Sequence, residues 1–324
     1  MSNIWEPNGG YRFLRQYVDA FTRASYSQLK VEGSLPEDGS AVLIAPNHSN
    51  TLMDALVVLR TRKNGIVYGA RADIFRKPVA AKILRFMKIL PMARERDGNE
   101  TIRESMYAFD QIDETLSHGV PYCMFPEGRH RTERVLLPIQ KGIARIAFRS
   151  ARQRPTLVVP AGINYSDFFH YRGRCLLRYG KPVDVNAFLD SHSELSEAEL
   201  HQLFREQLGA QIQELVNPDP LPAPSAWRWL LLPLWPVAAL LSLPLWLTAE
   251  LLCRKVADKA FCNSVRLLAK LVLMPLFLII WAALFFLLLP WQLATALLML
   301  YLFSYSIFYD IIYLTFAKCE SYQR

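Results

Sequence analysis

The sequence predicts an α/β sandwich built around a largely parallel sheet, followed by a C-terminal helical membrane domain. Two observations predict the first part. Short apolar runs recur between turn residues at 41–45, 65–70, 120–125, 156–165 and 176–179, and segments between them carry apolar positions at helical spacing. Strands and helices alternating through short loops imply parallel strands with helices on their faces. A third observation predicts the second part. Charges are dense up to about residue 216, whereas only nine occur between 227 and 316 and none between Leu271 and Tyr309.

The chain has 324 residues, room for about two domains of ~100–200 residues each. Its net charge of +8 suits nucleic acid or an anionic membrane surface. With an apolar final third and no nucleic-acid motif, the bilayer is the economical partner, and nucleic acid is not expected. Cys123, Cys175, Cys253, Cys262 and Cys319 are odd in number and lack paired spacing, so no metal site, cofactor or disulfide framework is expected. The N-terminus lacks a charged-then-apolar leader, which assigns the first domain to the cytosol.

Taken in order, residues 11–29 place Tyr11, Leu14, Tyr17, Val18 and Phe21 on one helical face, with Arg12, Arg15, Gln16, Asp19 and Arg23 on the other. Such a helix either lies in the membrane interface or packs on the domain; segment 1–39 is read as an amphipathic, interfacial unit. Lys30 to Gly33 forms a short strand and turn. The apolar run 41–45 meets Pro46-Asn47-His48-Ser49-Asn50-Thr51-Leu52-Met53-Asp54, the pattern of a strand, a sharp turn and a helix start. Histidine in such a turn is a natural general base, and Asp54 in the first helical turns can hold its ring. The same residues also read as a helix cap beside a solvated histidine.

A second strand at 65–70 leads to a helix opening at Arg71 to Pro78, with Ile83, Leu84, Phe86, Met87 and Leu90 at its apolar positions. Ile89 to Met92 is a strand-like step into the charged loop 94–98. Residues 99–118 form a helix with one apolar face, stopped by Gly119. The strand 120–125 ends in Pro126-Glu127-Gly128-Arg129-His130-Arg131, where the glycine allows a tight turn and the basic side chains read as an anion site or as a solvated loop. Further elements are a helix at 143–148, strands at 156–165 and 176–182, and a polar helix at 194–216. Ligands of open parallel sheets sit at the carboxyl ends of strands, where His48, Arg94, Glu127 and Arg129 all fall.

Four prolines at 218–224 make a stiff linker, 217–226, into the membrane domain, 227–316. The charge-free stretch 271–309 is long enough for two spans of ~20 residues, with Pro290-Trp291-Gln292 as the turn. Segment 229–249, broken by Pro233, Pro236 and Pro244, is expected to dip in and return. That keeps the basic residues between 254 and 270, and the tail 317–324, in the cytosol.

Four blocks now stand in order: Asn47-His48 to Asp54; Leu90-Pro91-Met92-Ala93-Arg94; Phe125-Pro126-Glu127-Gly128-Arg129; and Val158 to Tyr165. Together they resemble the glycerolipid acyltransferase family, the lysophosphatidate and glycerol-3-phosphate acyltransferases. The family pattern sets four residues between His and Asp, and this chain has five; the branch similar to fungal-type glycerol-3-phosphate acyltransferases carries the longer form. The resemblance implies a glycerol-3-phosphate acyltransferase-like sandwich in 40–216 and direct transfer of a fatty acyl group from acyl-CoA or acyl carrier protein to a lipid hydroxyl. It implies His48 as the base and Asp54 as its orienting partner. Arg94 and Arg129 would hold the anionic acceptor, with Glu127 positioning a hydroxyl or bracing Arg129 beside Gly128. Asn47, Phe125, Pro126 and Pro160 would shape the pocket. Amides near Gly128 or at the helix start after Asn50 are candidates for the oxyanion. The location expected is an integral membrane protein with its catalytic domain on the cytoplasmic face of the inner or plasma membrane. A lyso-aminolipid acceptor, or a non-catalytic lipid-binding role, are the rival readings.

Overall fold

The structure is a computed structural model that describes residues 3–63, 65–92, 100–169, 171–216 and 226–320, with side-chain placement for all of these except 100–106, 226 and 313–320. The chain opens with α1 (Gly9–Ala24), capped by Asn8, whose side chain accepts from Tyr11 N at 2.8 Å. The helix ends sooner than its periodicity predicts, because Gln28–Glu32 is already strand β1. Then follow β2 (Ala41–Pro46), α2 (Leu52–Leu59), β3 (Val67–Arg71), a 3-10 turn at Ala72–Phe75, α3 (Pro78–Phe86) and β4 (Ile89–Met92). The remainder of the sheet domain is α4 (Glu100–Ser117), β5 (Tyr122–Cys123), α5 (Lys141–Ala151), β6 (Thr156–Tyr165), β7 (Arg174–Tyr179), β8 (Val183–Asp184), α6 (Val185–Ser191) and α7 (Glu197–Leu215). The β8–α6 step is not visible in the sequence pattern, since two strand residues and a seven-residue helix are too short to show a period.

The strands form one sheet in the order β1-β7-β6-β2-β5-β3-β4, with β8 pairing β6. Pairing is parallel except where β6 meets β7 and β8. β2 lies near the middle, and every one of its residues is buried. Its side chains alternate between two cores. Ala41, Leu43 and Ala45 face a layer containing α4, α5, α6 and α7, while Val42 and Ile44 face the layer of α1 and α2. A run that is apolar at every position is what two buried faces require, each Val, Leu or Ile adding about 1.5–3 kcal/mol of burial.

The linker expected at 217–226 lies, but for Ala226, outside the described residues; Ala226–Leu234 is 3-10 helix, continued by α8 (Trp235–Lys255), a short turn at Lys259–Phe261, α9 (Cys262–Leu288) and α10 (Trp291–Glu320). Three helical stretches, 227–255, 259–288 and 291–312, are long and apolar enough to cross a membrane. α9 begins nine residues before the charge-free stretch, so Arg266 and Lys270, expected in a connecting segment, are helical. Arg266 is paired to Glu250 through two hydrogen bonds of 2.8 and 3.1 Å. The first turns of α9 also belong to the sheet domain: Leu267 is fully buried in the core of Ile44, Val57 and Val159. Tyr17 on α1 donates to Leu271 O at 2.7 Å. The two parts of the chain are therefore packed together through a shared apolar core.

Candidate active site

β2 delivers the chain to the site. Asn47, just past its end, is buried and grips β6 with both ends of its amide, accepting from Ile163 N at 2.6 Å and donating to Ile163 O at 3.2 Å. That fixes where His48 leaves the sheet. His48 Nδ1 lies 2.8 Å from Asp54 Oδ2, so the longer spacing still closes the pair. Thr51 absorbs the extra length. With φ 48° and ψ −123°, it occupies the second position of a tight turn closed by Met53 N donating to Asn50 O at 3.0 Å. A β-branched residue there costs about 1–3 kcal/mol, and its hydroxyl is held at 2.8 Å by Ser264 on α9.

Asp54 is fully buried, and its carboxylate is saturated by donors. Oδ2 also accepts from Ser49 N at 2.8 Å and Asn50 N at 2.7 Å, and Oδ1 accepts from Tyr165 OH at 2.6 Å. Burial, with Asp54 beside it, pushes the Tyr165 hydroxyl well above its ordinary range, which keeps it a neutral donor. The other ring nitrogen of His48, Nε2, has no partner among the described residues. Phe125 stacks on the imidazole with centroids 4.1 Å apart, so one face of the ring is covered. The result is a histidine aimed by a buried carboxylate, with one nitrogen open, the arrangement a general base needs.

The second turn follows β5. Glu127 is buried, and its two oxygens accept from His48 N at 2.6 Å and Leu137 N at 2.8 Å. It therefore ties the two turns together through backbone amides; among the described residues it makes no pair with Arg129. Gly128 takes φ 68°, the left-handed conformation the tight turn demands, and its amide donates to Phe125 O at 3.1 Å. The amides of Gly128 and Asn50 themselves are engaged, by Phe125 O and Asp54 Oδ2. Arg129 is exposed and has no partner among the described residues. Pro126 is buried and its carbonyl accepts from Gln140 N at 2.8 Å, which holds the turn against the next segment. Arg94 lies outside the described residues. Pro160 sits within β6 opposite Ala45, between the residues paired to β8 and those paired to β7, where its missing N–H interrupts no ladder.

Several contributors had no such role assigned from the sequence. Tyr165 belongs to the fourth block without a role assigned to it there. His130 stands edge-on to His48, centroids 5.8 Å apart, and its Nε2 is 2.7 Å from Asp258 Oδ2 in the α8–α9 connection. That contact holds the Asp258 carboxyl below its usual range. Phe261 packs against His130 at 5.1 Å. The contacts of Asp258, Phe261 and Ser264 span well over a hundred residues of sequence, and no local pattern announces them. Among the described residues, no three His, Cys, Asp or Glu side chains converge on a metal-sized site.

Comparison with known proteins finds similarity over the sheet domain. The family model described as Acyltransferase matches residues 28–164. The stretch includes both turns and Asp54. An uncharacterized acyltransferase of Schizosaccharomyces pombe is 27% identical over 85 residues, covering 25% of this chain and 13% of the relative. Glycerol-3-phosphate O-acyltransferase 2 of Saccharomyces cerevisiae is 33% identical over 97 residues, covering 29% of this chain and 12% of the relative. The matches thus span about an eighth of the length of these relatives. The crystal structure of the 1-acyl-sn-glycerophosphate acyltransferase PlsC from Thermotoga maritima aligns over 64% of this chain and 81% of its own, at 22% identity and a TM-score of 0.44.

Proposed function

We propose that this protein is a membrane-bound O-acyltransferase that moves a fatty acyl group from acyl-CoA or acyl carrier protein to a hydroxyl of a glycerophosphate-type acceptor, lysophosphatidate or glycerol-3-phosphate. The observation that carries the reading is the His48–Asp54 pair at 2.8 Å with Nε2 open. His48 Nε2 removes the acceptor hydroxyl proton as the oxygen attacks the thioester carbonyl. Asp54 stabilises the imidazolium so formed. Collapse of the tetrahedral adduct breaks the C–S bond, and the imidazolium proton goes to the departing thiolate, giving ester and free thiol. Arg129, exposed beside the base, meets the acceptor's phosphate; Arg94 is assigned the same task from the sequence alone. Glu127 serves by fixing His48 through its backbone amide.

The test is a labelled acyl-thioester transfer assay on the purified protein with both donors and with glycerol-3-phosphate, lysophosphatidate and a lyso-aminolipid as acceptors. Replacing His48 by Ala is expected to slow turnover by roughly 100- to 10,000-fold with the fold intact. Wild-type turnover in that variant refutes the base assignment, and transfer confined to the lyso-aminolipid replaces the acceptor.

The bilayer arrangement that fits this chemistry is a re-entrant segment plus a hairpin with the sheet domain in the cytosol. Its support is that both ends of 228–250 reach one level of α10: Arg228 lies 3.7 Å from Asp310, and Glu250 accepts from Tyr309 OH at 2.9 Å. A straight helix would hold residues 228 and 250 roughly 33 Å apart. Native Cys253 and Cys262 are buried, so the informative labels are Lys255→Cys and Gln292→Cys, both at exposed positions. In intact cells an impermeant thiol reagent is expected to modify position 292 and spare 255; the opposite result inverts the topology.

A further inference from the structure

α3 is a helix with no buried residue. Its apolar positions Val79, Ile83 and Phe86, one helical face by their spacing, are 70%, 53% and 41% exposed. Every other helix of the sheet domain with side chains described along its whole length buries part of its apolar face. The contrast with α1 is direct. α1, the segment whose pattern suggested an interfacial helix, turns Tyr11 and Phe21 onto protein, whereas α3 turns its apolar stripe outward.

Charge says what covers that stripe. Arg76, Lys77, Lys82 and Arg85 lie on or just before α3, all exposed, and none is paired to an acid among the described residues. The one acid of this segment, Asp73, is already bound by Arg71. A short amphipathic helix with apolar side chains on one face and an unbalanced run of cations is matched by an anionic bilayer surface, into which the apolar face sinks while the cations meet headgroups.

Position agrees. The Phe86 ring packs edge-on against Tyr11 of α1, centroids 6.4 Å apart, and α1 in turn is bonded through Tyr17 to the α9 backbone at Leu271, where the charge-free stretch begins. α3 therefore belongs to the helical layer of the sheet domain that α9 joins, on the face from which the membrane helices leave. Among the described residues, no side-chain hydrogen bond joins α6 or α7 of the opposite layer to the bundle.

We infer that α3 is a second membrane contact, a helix seated in the anionic headgroup layer beside the spanning bundle. It holds the edge of the sheet at β3 and β4 down on the bilayer.

The experiment uses the full chain, one copy per lipid nanodisc, with a bimane fluorophore on Val79→Cys or Ile83→Cys and nitroxide-labelled lipids as quenchers. Glu194→Cys, exposed between α6 and α7 on the opposite layer, is the soluble reference. Quenching at 79 and 83 at least about threefold that at 194, and stronger in discs containing phosphatidylglycerol than in pure phosphatidylcholine, is expected from partitioning of the apolar face and pairing of the cations. Quenching at the level of the reference overturns the contact. Equal quenching in both lipids overturns the anionic partner, and shielding of the probe seen only when two copies share a disc assigns the face to a second chain instead. The readout is lipid proximity, independent of any acyl transfer.

Discussion

Buried or half-buried carboxylates occur in both halves of the molecule, and they are held in different ways. In the sheet domain, Asp54 and Glu127 are bound by backbone amides, an imidazole and a phenol. In the helical bundle, Asp310 is clamped by Arg172 through bonds of 2.8 and 2.7 Å, and Glu250 by Arg266. A carboxylate held by neutral donors keeps its charge available to whatever becomes positive beside it; one matched by a guanidinium is already neutralised. The same chemistry thus orients an imidazole at His48, the proposed base, and makes a joint at Arg172, which also donates to Ala24 O and Tyr26 O in the sheet domain.

That contrast can be broken from either side. The largest effect is expected at His48, as above, on turnover alone. Next, Arg172→Ala leaves Asp310 buried without its bidentate partner and is expected to cost about 3–5 kcal/mol; the measurement is chemical or thermal unfolding in a mild detergent. An unchanged midpoint would remove the joint. Tyr165→Phe takes one donor from Asp54. A hydrogen bond to a charged group is worth about 1.5–3 kcal/mol, so turnover is expected to fall roughly ten- to a hundredfold with KM unchanged. A change confined to KM would place Tyr165 on substrate instead.

The smallest effect is a dependence on pH. Burial raises the Glu127 carboxyl above the glutamate range, against the amides of Leu137 and His48 that lower it. A proton is then held more readily by the folded chain than by the unfolded one. The stability this group contributes is full below the ordinary glutamate range and is lost as pH rises through the raised folded value. Turnover is expected to move the other way across that window, because the ionised group accepts more strongly from both amides. Thermal midpoints and rates of wild type and Glu127→Gln through the mildly acid range check this; parallel slopes in the two proteins would exclude Glu127 as the source.

Much of the site was legible because its parts are local. A strand that is apolar throughout, a proline, a histidine and an aspartate in the first turn of the next helix stand within fourteen residues, and backbone geometry alone brings them together. The Glu127 turn was legible as a turn, but its role was not. Whether a carboxylate beside Gly-Arg points to the arginine or back to the chain depends on burial, and the amides it binds belong to residues 48 and 137. Tyr165 was visible only as the end of a strand, because its hydroxyl meets Asp54 across 111 residues of sequence.

By itself, the sequence determined the alternation of strands and helices, the place of the His48 turn and the existence of an apolar C-terminal unit. All three follow from periodicity and composition, which are properties of neighbouring residues. Only the tertiary structure decided that Thr51 takes the strain of the extra residue under Ser264, that the first turns of α9 complete the core of the sheet domain, and that α3 rather than α1 leaves its apolar face open. Each of these depends on which distant surface covers a residue, and side-chain burial is fixed by packing between elements rather than by the pattern within one.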